Sequence, residues 1–277
     1  IVFGDWSSDV CSSDLDNSSG FGYVTVVGAN ASNYSYFSGN GQDGLVISTP
    51  GNVTLNHLWA EANGLRGIRA GSALNPVAGN LTINNVLAIE NGGSGVETYN
   101  TGLINALRLQ AMDNGGDGAY LNNTSGLNKV TVSGESFFSG NGAEGLEVLT
   151  QNHLVISKVS AENNGGNGIA ANSVSGNITL NQINVKYSGV NGLALVGNSK
   201  ITLSNLASFA NGSGTDGDGI QISASAMTVI SMNKASFIAN EGNGIEIING
   251  QITPTLLNTF YFGNDVDNDG DLNYYWH

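Results

Sequence analysis

From residue 40 onward one order of polar and apolar positions returns again and again. An Asn-Gly pair leads, a second glycine follows three residues after the first, and an apolar-x-apolar triplet closes the unit. Asn141-Gly-Ala-Glu-Gly145-Leu-Glu-Val148 is one copy, Asn40, Asn63, Asn91, Asn114 and Asn164 open others, and Asn240 opens one with Glu241 in place of the first glycine. Ser188 stands in for the asparagine in one degenerate copy, and Asn211 reaches Gly219 only across an insertion. The lead positions are separated by 23, 28, 23, 27, 23, 24, 23 and 29 residues. A self-similar period of this length predicts a solenoid, in which each repeat buries its apolar face only against its neighbours.

Each repeat has two predicted parts. The triplet after the last glycine is a short strand, as in Leu45-Val-Ile47, Leu146-Glu-Val148 and Ile245-Glu-Ile247. An alternating strand then climbs to the next lead position, as in Val53-Thr-Leu-Asn56 and Ile178-Thr-Leu-Asn181. Period-two alternation predicts half-buried strands, and no stretch carries helical spacing. If one repeat is one turn of a coil, equivalent residues lie about 4.8 Å apart, so inward positions stack like on like. The motif asparagine is expected in the turn, where it tolerates positive φ and its amide bonds along a ladder of identical neighbours. The motif glycine is expected to permit a sharp re-entry into the next strand. Over roughly residues 30–277 this pattern resembles the right-handed parallel β-helix repeats of the pectate-lyase-like superfamily. The resemblance implies an all-β fold, a single right-handed parallel β-helix solenoid of about ten rungs.

Composition agrees with that architecture. Glycine (40 residues) is abundant, proline (3) scarce, and 40% hydrophobic content with only 11% charge argues against disorder. The formal net charge of −14 excludes nucleic acid and anionic membranes as natural partners, and no apolar run is long enough to span a membrane. Residues 1–15 lack the period, and Asp5 to Leu15 resembles a translated sequencing adapter. We therefore set 1–15 apart as artefactual and take 16–277 as the β-helix domain. Without Asp5, Asp9 and Asp14 the charge falls to about −11, and Cys11, the only cysteine, drops out of the argument. The domain is expected to be cut short at one or both ends, with any signal peptide missing. Its last rung opens at Asn264 and carries an acidic loop over 264–273.

That loop places Asp265, Asp267, Asp269, Gly270, Asp271 and Asn273 at alternating positions around a glycine turn, the arrangement of oxygen donors that calcium requires. Trp276 stands where an EF-hand has its bidentate glutamate, so the stretch looks more like the Asp-rich calcium loops of extracellular repeat proteins. Calcium is the one cofactor expected. A second candidate is the column two residues after each motif glycine: Val46, Arg69, Glu97, Tyr120, Glu147, Ala170, Ala194, Gln221 and Glu246. Glu97 and Glu147 would sit two rungs, about 9.6 Å, apart, in the range of an inverting glycosidase pair, with Arg69 alongside. Asp117 and Glu144 would flank the same groove, and Tyr120 could stack on a sugar. The plainer alternative is a solvated strand face.

Other signatures known on this fold are missing. The Asn-Thr-Asp, Asp-Asp, Gly-His-Gly and Arg-x-Lys motifs of polygalacturonases are absent, as is the Asp-Pro-His-Glu signature of uronan epimerases. His57 and His153 are expected to pack or face solvent, and Trp59 is most simply a side chain on its strand. Asn52, Asn80 and Asn177 match glycosylation acceptors but fall at strand starts, so they read as structural. Two functions follow. The first is a non-catalytic, adhesin-like repeat domain, extracellular or on the cell surface, that binds a polysaccharide or surface glycan, stacks on further β-helix repeats or serves as a stalk. The alternative is a polysaccharide lyase or glycoside hydrolase using Glu97, Glu147 and Arg69, with Tyr120, Asp117 and Glu144 on the substrate.

Overall fold

The computed structural model describes residues 6–7, 13–20, 22–28, 34–214, 217–225, 228–248 and 255–264. Two sheets wind side by side along the coil, and every strand pair in them is parallel. The short sheet has 10 strands, running from Ser13–Asp16 and Leu45–Ser48 to Ile245–Ile248. The long sheet has 13 strands and ends at Thr255–Phe262. The first triplet residue stacks on its own kind down the short sheet: Leu45, Ile68, Val96, Ala119, Leu146, Ile169, Leu193, Ile220 and Ile245 are all buried. Like-on-like stacking of apolar side chains at strand spacing is what makes the pattern repeat in sequence.

The long strands depart from simple alternation. In Val53–Glu61 the buried positions are Val53, Leu55, Leu58 and Ala60, so the period of two slips by one residue at His57. His57 has φ 54°, and Asn85, Arg108, Lys158 and Gln182 repeat that left-handed conformation at the fifth position of their nine-residue strands. Each long strand is therefore two straight segments meeting at a corner, and the corner side chain points away from the core. A repeat thus has three faces, where the sequence pattern predicts two.

The asparagine ladder is present, with a different cause from the one expected. Positive φ belongs to the residue before each asparagine, such as Ala62, Glu90, Asp113 and Asn163. The asparagines themselves are buried and face inward. Asn91 Oδ1 accepts both the backbone N–H and the Nδ2 of Asn63, while Asn91 Nδ2 donates to Asn114 Oδ1 and to the Ala60 carbonyl. Every polar atom of the amide is used. The motif glycines are required by space, because a Cβ on Gly118 would lie 2.4 Å from the Gly145 carbonyl oxygen and 2.7 Å from Asn141 Nδ2.

The side-chain ladder runs from Asn40 to Asn164 and from Asn211 to Asn264, interrupted at Ser188, whose Oγ is buried without a partner. Ser188→Asn should rejoin the two halves. One added buried hydrogen-bonded link is worth about 1 kcal/mol, which raises Tm by about 2–4 °C in thermal unfolding. A Tm at or below that of the parent would show that the break is accommodated in some other way.

At the N-terminal end, Trp6–Ser7 pairs with Ser35–Ser38 and Ser13–Asp16 with Leu45–Ser48. An open solenoid end offers unpaired backbone groups to any extended segment, whatever its origin. At the other end Asn264 accepts from Asn240 and so continues the ladder. The acidic loop with Asp265, Asp267, Asp269, Asp271 and Asn273 lies outside the described residues.

Candidate functional site

The short sheet delivers the outward column in the expected register. Val46 pairs with Arg69, Arg69 with Glu97, Glu97 with Tyr120, Tyr120 with Glu147 and Glu147 with Ala170. A second column, one residue before each motif glycine, runs beside it and holds Asp43, Arg66, Asp117, Glu144 and Asn167. Neutralisation divides these acids into two groups. Arg66 Nε lies 2.6 Å from Glu97 Oε2 and its Nη1 lies 3.3 Å from Asp43 Oδ1, while Arg69 Nε reaches Asp43 Oδ2 at 3.3 Å. Glu97 is thus held by a cation from the preceding rung and is not the free partner of Glu147 that its spacing implies. Arg69 turns away from Glu97 to the carboxylate of Asp43.

Among the described residues, no ion pair reaches the other acids. Carboxylate oxygens of Asp117, Glu144 and Glu147 all lie within 4.8 Å of one another. Three hard oxygen donors at that spacing could surround one divalent cation or share protons. Partial burial, then the charges of Asp117 and Glu144, push Glu147 up to about 7. Partial burial, then the charge of Glu144, push Asp117 up to about 6. Near neutral pH Glu147 therefore stands between its protonated and ionised forms, because stacked carboxylates resist ionising side by side. Tyr120 borders it, with its ring centroid 5.7 Å from that of Tyr99 and its hydroxyl accepting from Asn122 Nδ2 at 2.8 Å. The result is a polar, proton-holding edge set against two aromatic rings.

A comparison within the chain separates what the repeat builds from what is added to it. Asp218 and Glu246 occupy the same two columns near the C-terminal end. Burial, followed by the hydrogen bond and charge of Glu246, raises Asp218 to about 7, and Gln221 Nε2 donates to Glu246 Oε2 at 2.6 Å. A raised carboxyl thus also arises where only two acids stack, without a third. The column before the glycine also has a structural use. Asp117 Oδ1 accepts the backbone N–H of Glu144, just as Asp43, Asn167, Asn191 and Asp218 accept theirs from the next rung. What sets the Asp117 region apart is a third carboxylate and the Tyr99–Tyr120 pair.

Two participants escape the sequence reading. Arg66 lies in the column before the glycine, and Tyr99 falls two residues after Glu97, at the same outward parity. Following the column before the glycine would have found Arg66, and following the outward parity of the short strand one step past Glu97 would have found Tyr99. His153 has a structural role, its Nδ1 accepting the Asn177 N–H at 3.0 Å. Asn52 and Asn80 serve the strand starts as read, Asn52 Oδ1 accepting the Asn80 N–H and Asn80 Oδ1 that of Leu103.

Fold and surface together define a parallel β-solenoid with an acidic, tyrosine-bordered outer face. The family model described as right handed beta helix region matches residues 94–260, more than half of the chain, and the protein belongs to that family. No curated protein and no solved structure shows a significant match. Among the described residues no helix is long and apolar enough to cross a membrane.

Proposed function

We propose that this chain is a glycan-binding β-helix domain of a secreted or cell-surface, adhesin-like protein. Its binding face is the outer surface of the short sheet, with Tyr99 and Tyr120 as the stacking shelf and Asp117, Glu144 and Glu147 as the hydrogen-bonding edge. The carrying observation is the placement of the tyrosine pair directly beside the trio, on a face where Ala170 and Ala194 follow within two rungs. Aromatic faces beside polar acceptors suit sugar rings, which present C–H faces and hydroxyl edges. Stiffness also favours binding, since every rung is bonded through its backbone to the next and the face needs no ordering on contact.

Hydrolysis is a second reading, favoured by the close approach of Glu147 to Asp117 and Glu144. Carboxyl oxygens within 4.8 Å of one another are nearer the retaining separation than the wider inverting one. In that reading Glu147 is the acid, Asp117 or Glu144 the nucleophile, and Glu97 a structural partner of Arg66.

One experiment divides them. The full chain is incubated with neutral and acidic polysaccharides, with and without calcium, and both bound protein and released reducing ends are measured. Binding without release, weakened about tenfold in Tyr120→Ala, is the expected result. Release that disappears in Glu147→Gln would replace binding with hydrolysis, and neither binding nor release would sink both.

A further inference from the structure

Much of the asparagine ladder sets its asparagine directly before a glycine, as in Asn63-Gly64, Asn91-Gly92, Asn114-Gly115, Asn141-Gly142 and Asn164-Gly165. Asparagine is chemically least durable in that dipeptide, because glycine has no Cβ to keep its nitrogen away from the preceding side chain. The glycine nitrogen gives up its proton and attacks Cγ of the asparagine. A new N–C bond closes a succinimide ring, the Cγ–Nδ2 bond breaks, and the amide nitrogen leaves as ammonia with the proton. Water then opens the ring at either carbonyl and leaves aspartate or isoaspartate. Nothing but water is consumed.

The folded coil holds each reacting group in place. The N–H of Gly64 donates to the Asn40 carbonyl at 2.7 Å, and those of Gly92, Gly115, Gly142 and Gly165 donate to the carbonyls of Asn63, Asn91, Asn114 and Asn141 at 2.8 Å. The nucleophile is thus tied to the preceding rung. The leaving group is tied as well: Asn114 Nδ2 donates to Asn141 Oδ1 and the Ala88 carbonyl, and Asn63 Nδ2 to Asn91 Oδ1 and the Phe37 carbonyl. Turning Cγ of Asn114 onto Gly115 would also break the bonds that its Oδ1 accepts from Asn91. All five asparagines are buried, which keeps water from the ring.

The product does not fit the rung that forms it. The inner column holds asparagine, with serine at 188, and no carboxylate, because the amide there donates to an oxygen of the next rung. Aspartate lacks that donor and sets a buried charge against the oxygens around it. Isoaspartate adds a carbon to the backbone and shifts the register. The column before the motif glycine supplies the contrast. Its side chains accept a backbone N–H, and Asp43, Asp117 and Asp218 do so as well as Asn167 and Asn191.

We propose that Asn63, Asn91, Asn114, Asn141 and Asn164 are latent deamidation sites: stacked rungs suppress the reaction, and a rung that opens is modified so that it cannot close again. Local opening thereby becomes permanent, and the unfolded chain has a limited time in which it can refold. The ladder has this property whether or not the short sheet binds a glycan.

The test incubates the full chain at mildly alkaline pH, in buffer and in denaturing guanidinium chloride, and maps deamidation by peptide mass spectrometry. The five sites should react at least about a hundredfold more slowly in buffer, where only opened rungs are exposed. After dilution from denaturant, the folded fraction read by circular dichroism should fall in step with deamidation. A denatured sample held at mildly acidic pH, where the glycine nitrogen keeps its proton, should refold. Two variants read the product directly. Asn141→Asp should melt about 10 °C or more below the parent at neutral pH. Asn191→Asp, in a column that already holds the equally buried Asp43 and Asp218, should melt close to the parent. Equal rates in buffer and denaturant, full refolding of the deamidated chain, or equal melting of the two aspartate variants would overturn the proposal. So would loss of refolding at acidic pH as well, by placing the irreversibility elsewhere.

Discussion

Asn141→Ala should lower the melting temperature by about 10 °C, a loss as large as that of a core truncation. Asn141 Oδ1 accepts the Asn114 backbone N–H at 3.2 Å and Asn114 Nδ2 at 3.0 Å. Its own Nδ2 donates to the Ala111 carbonyl at 3.1 Å and to Asn164 Oδ1 at 2.9 Å. Alanine leaves the Asn114 backbone N–H and one of the two Asn114 Nδ2 hydrogens without an acceptor and takes a donor from the Ala111 carbonyl beside it, and each unsatisfied group costs about 1–3 kcal/mol. Their sum, about 3–5 kcal/mol, far exceeds the ordinary cost of trimming a polar side chain. Position along the ladder provides the control. Asn264, the last described member, accepts from Asn240 in a half-buried setting, so Asn264→Ala should cost much less. Equal losses at the two positions, measured by thermal unfolding, would show that the ladder does not hold the rungs as described.

Stability should fall as pH rises from about 4 to about 7, the reverse of the behaviour of proteins held together by ionised carboxylates. Asp117, Glu147 and Asp218 have folded-state values of about 6, 7 and 7, raised first by burial and then by neighbouring acids. Their ordinary values are 3.8 for aspartate and 4.5 for glutamate. A raised acid binds its proton more tightly in the folded chain than in the unfolded one. Its contribution is therefore fully present below the unfolded value and is lost as pH climbs through the folded value. Self-repulsion of a chain with net charge −14 acts in the same direction. Asp117 and Glu147 are partly open to solvent, which screens their share, while Asp218 is buried, so the expected drop in Tm from pH 5 to pH 8 is about 5 °C. Asp218→Asn is the informative variant, because Asn167 and Asn191 already occupy that column and accept the same kind of backbone N–H. It should raise Tm at pH 8, leave it nearly unchanged at pH 5, and so flatten the profile. A melting temperature that increases with pH in the parent chain would contradict the assignment of these protons.

The repeat made the architecture legible from residues alone. An apolar position that must stack on its equivalent every 23 to 29 residues leaves a periodic trace, and so does an asparagine whose amide bonds to the asparagines above and below it. Strand type, parallel register, the buried columns and the order Arg69, Glu97, Tyr120, Glu147 down the outer face all follow from that period. The corner at His57, Asn85 and Arg108 was also visible, as a slip of one residue in the alternation, but the period-two template passed over it. Pairing of side chains within the face was settled only by the tertiary structure. Register places Glu97 and Glu147 in one column, yet it does not say that Arg66, reaching from the neighbouring column and the preceding rung, neutralises Glu97 and leaves Glu147 to Asp117 and Glu144. Side chains of five or more atoms span the distance between rungs, so their partners depend on rotamers and local charge, neither of which has a period. The retained protons have the same origin: burial and like-charge proximity arise only when the coil brings residues 27 positions apart within 5 Å of each other.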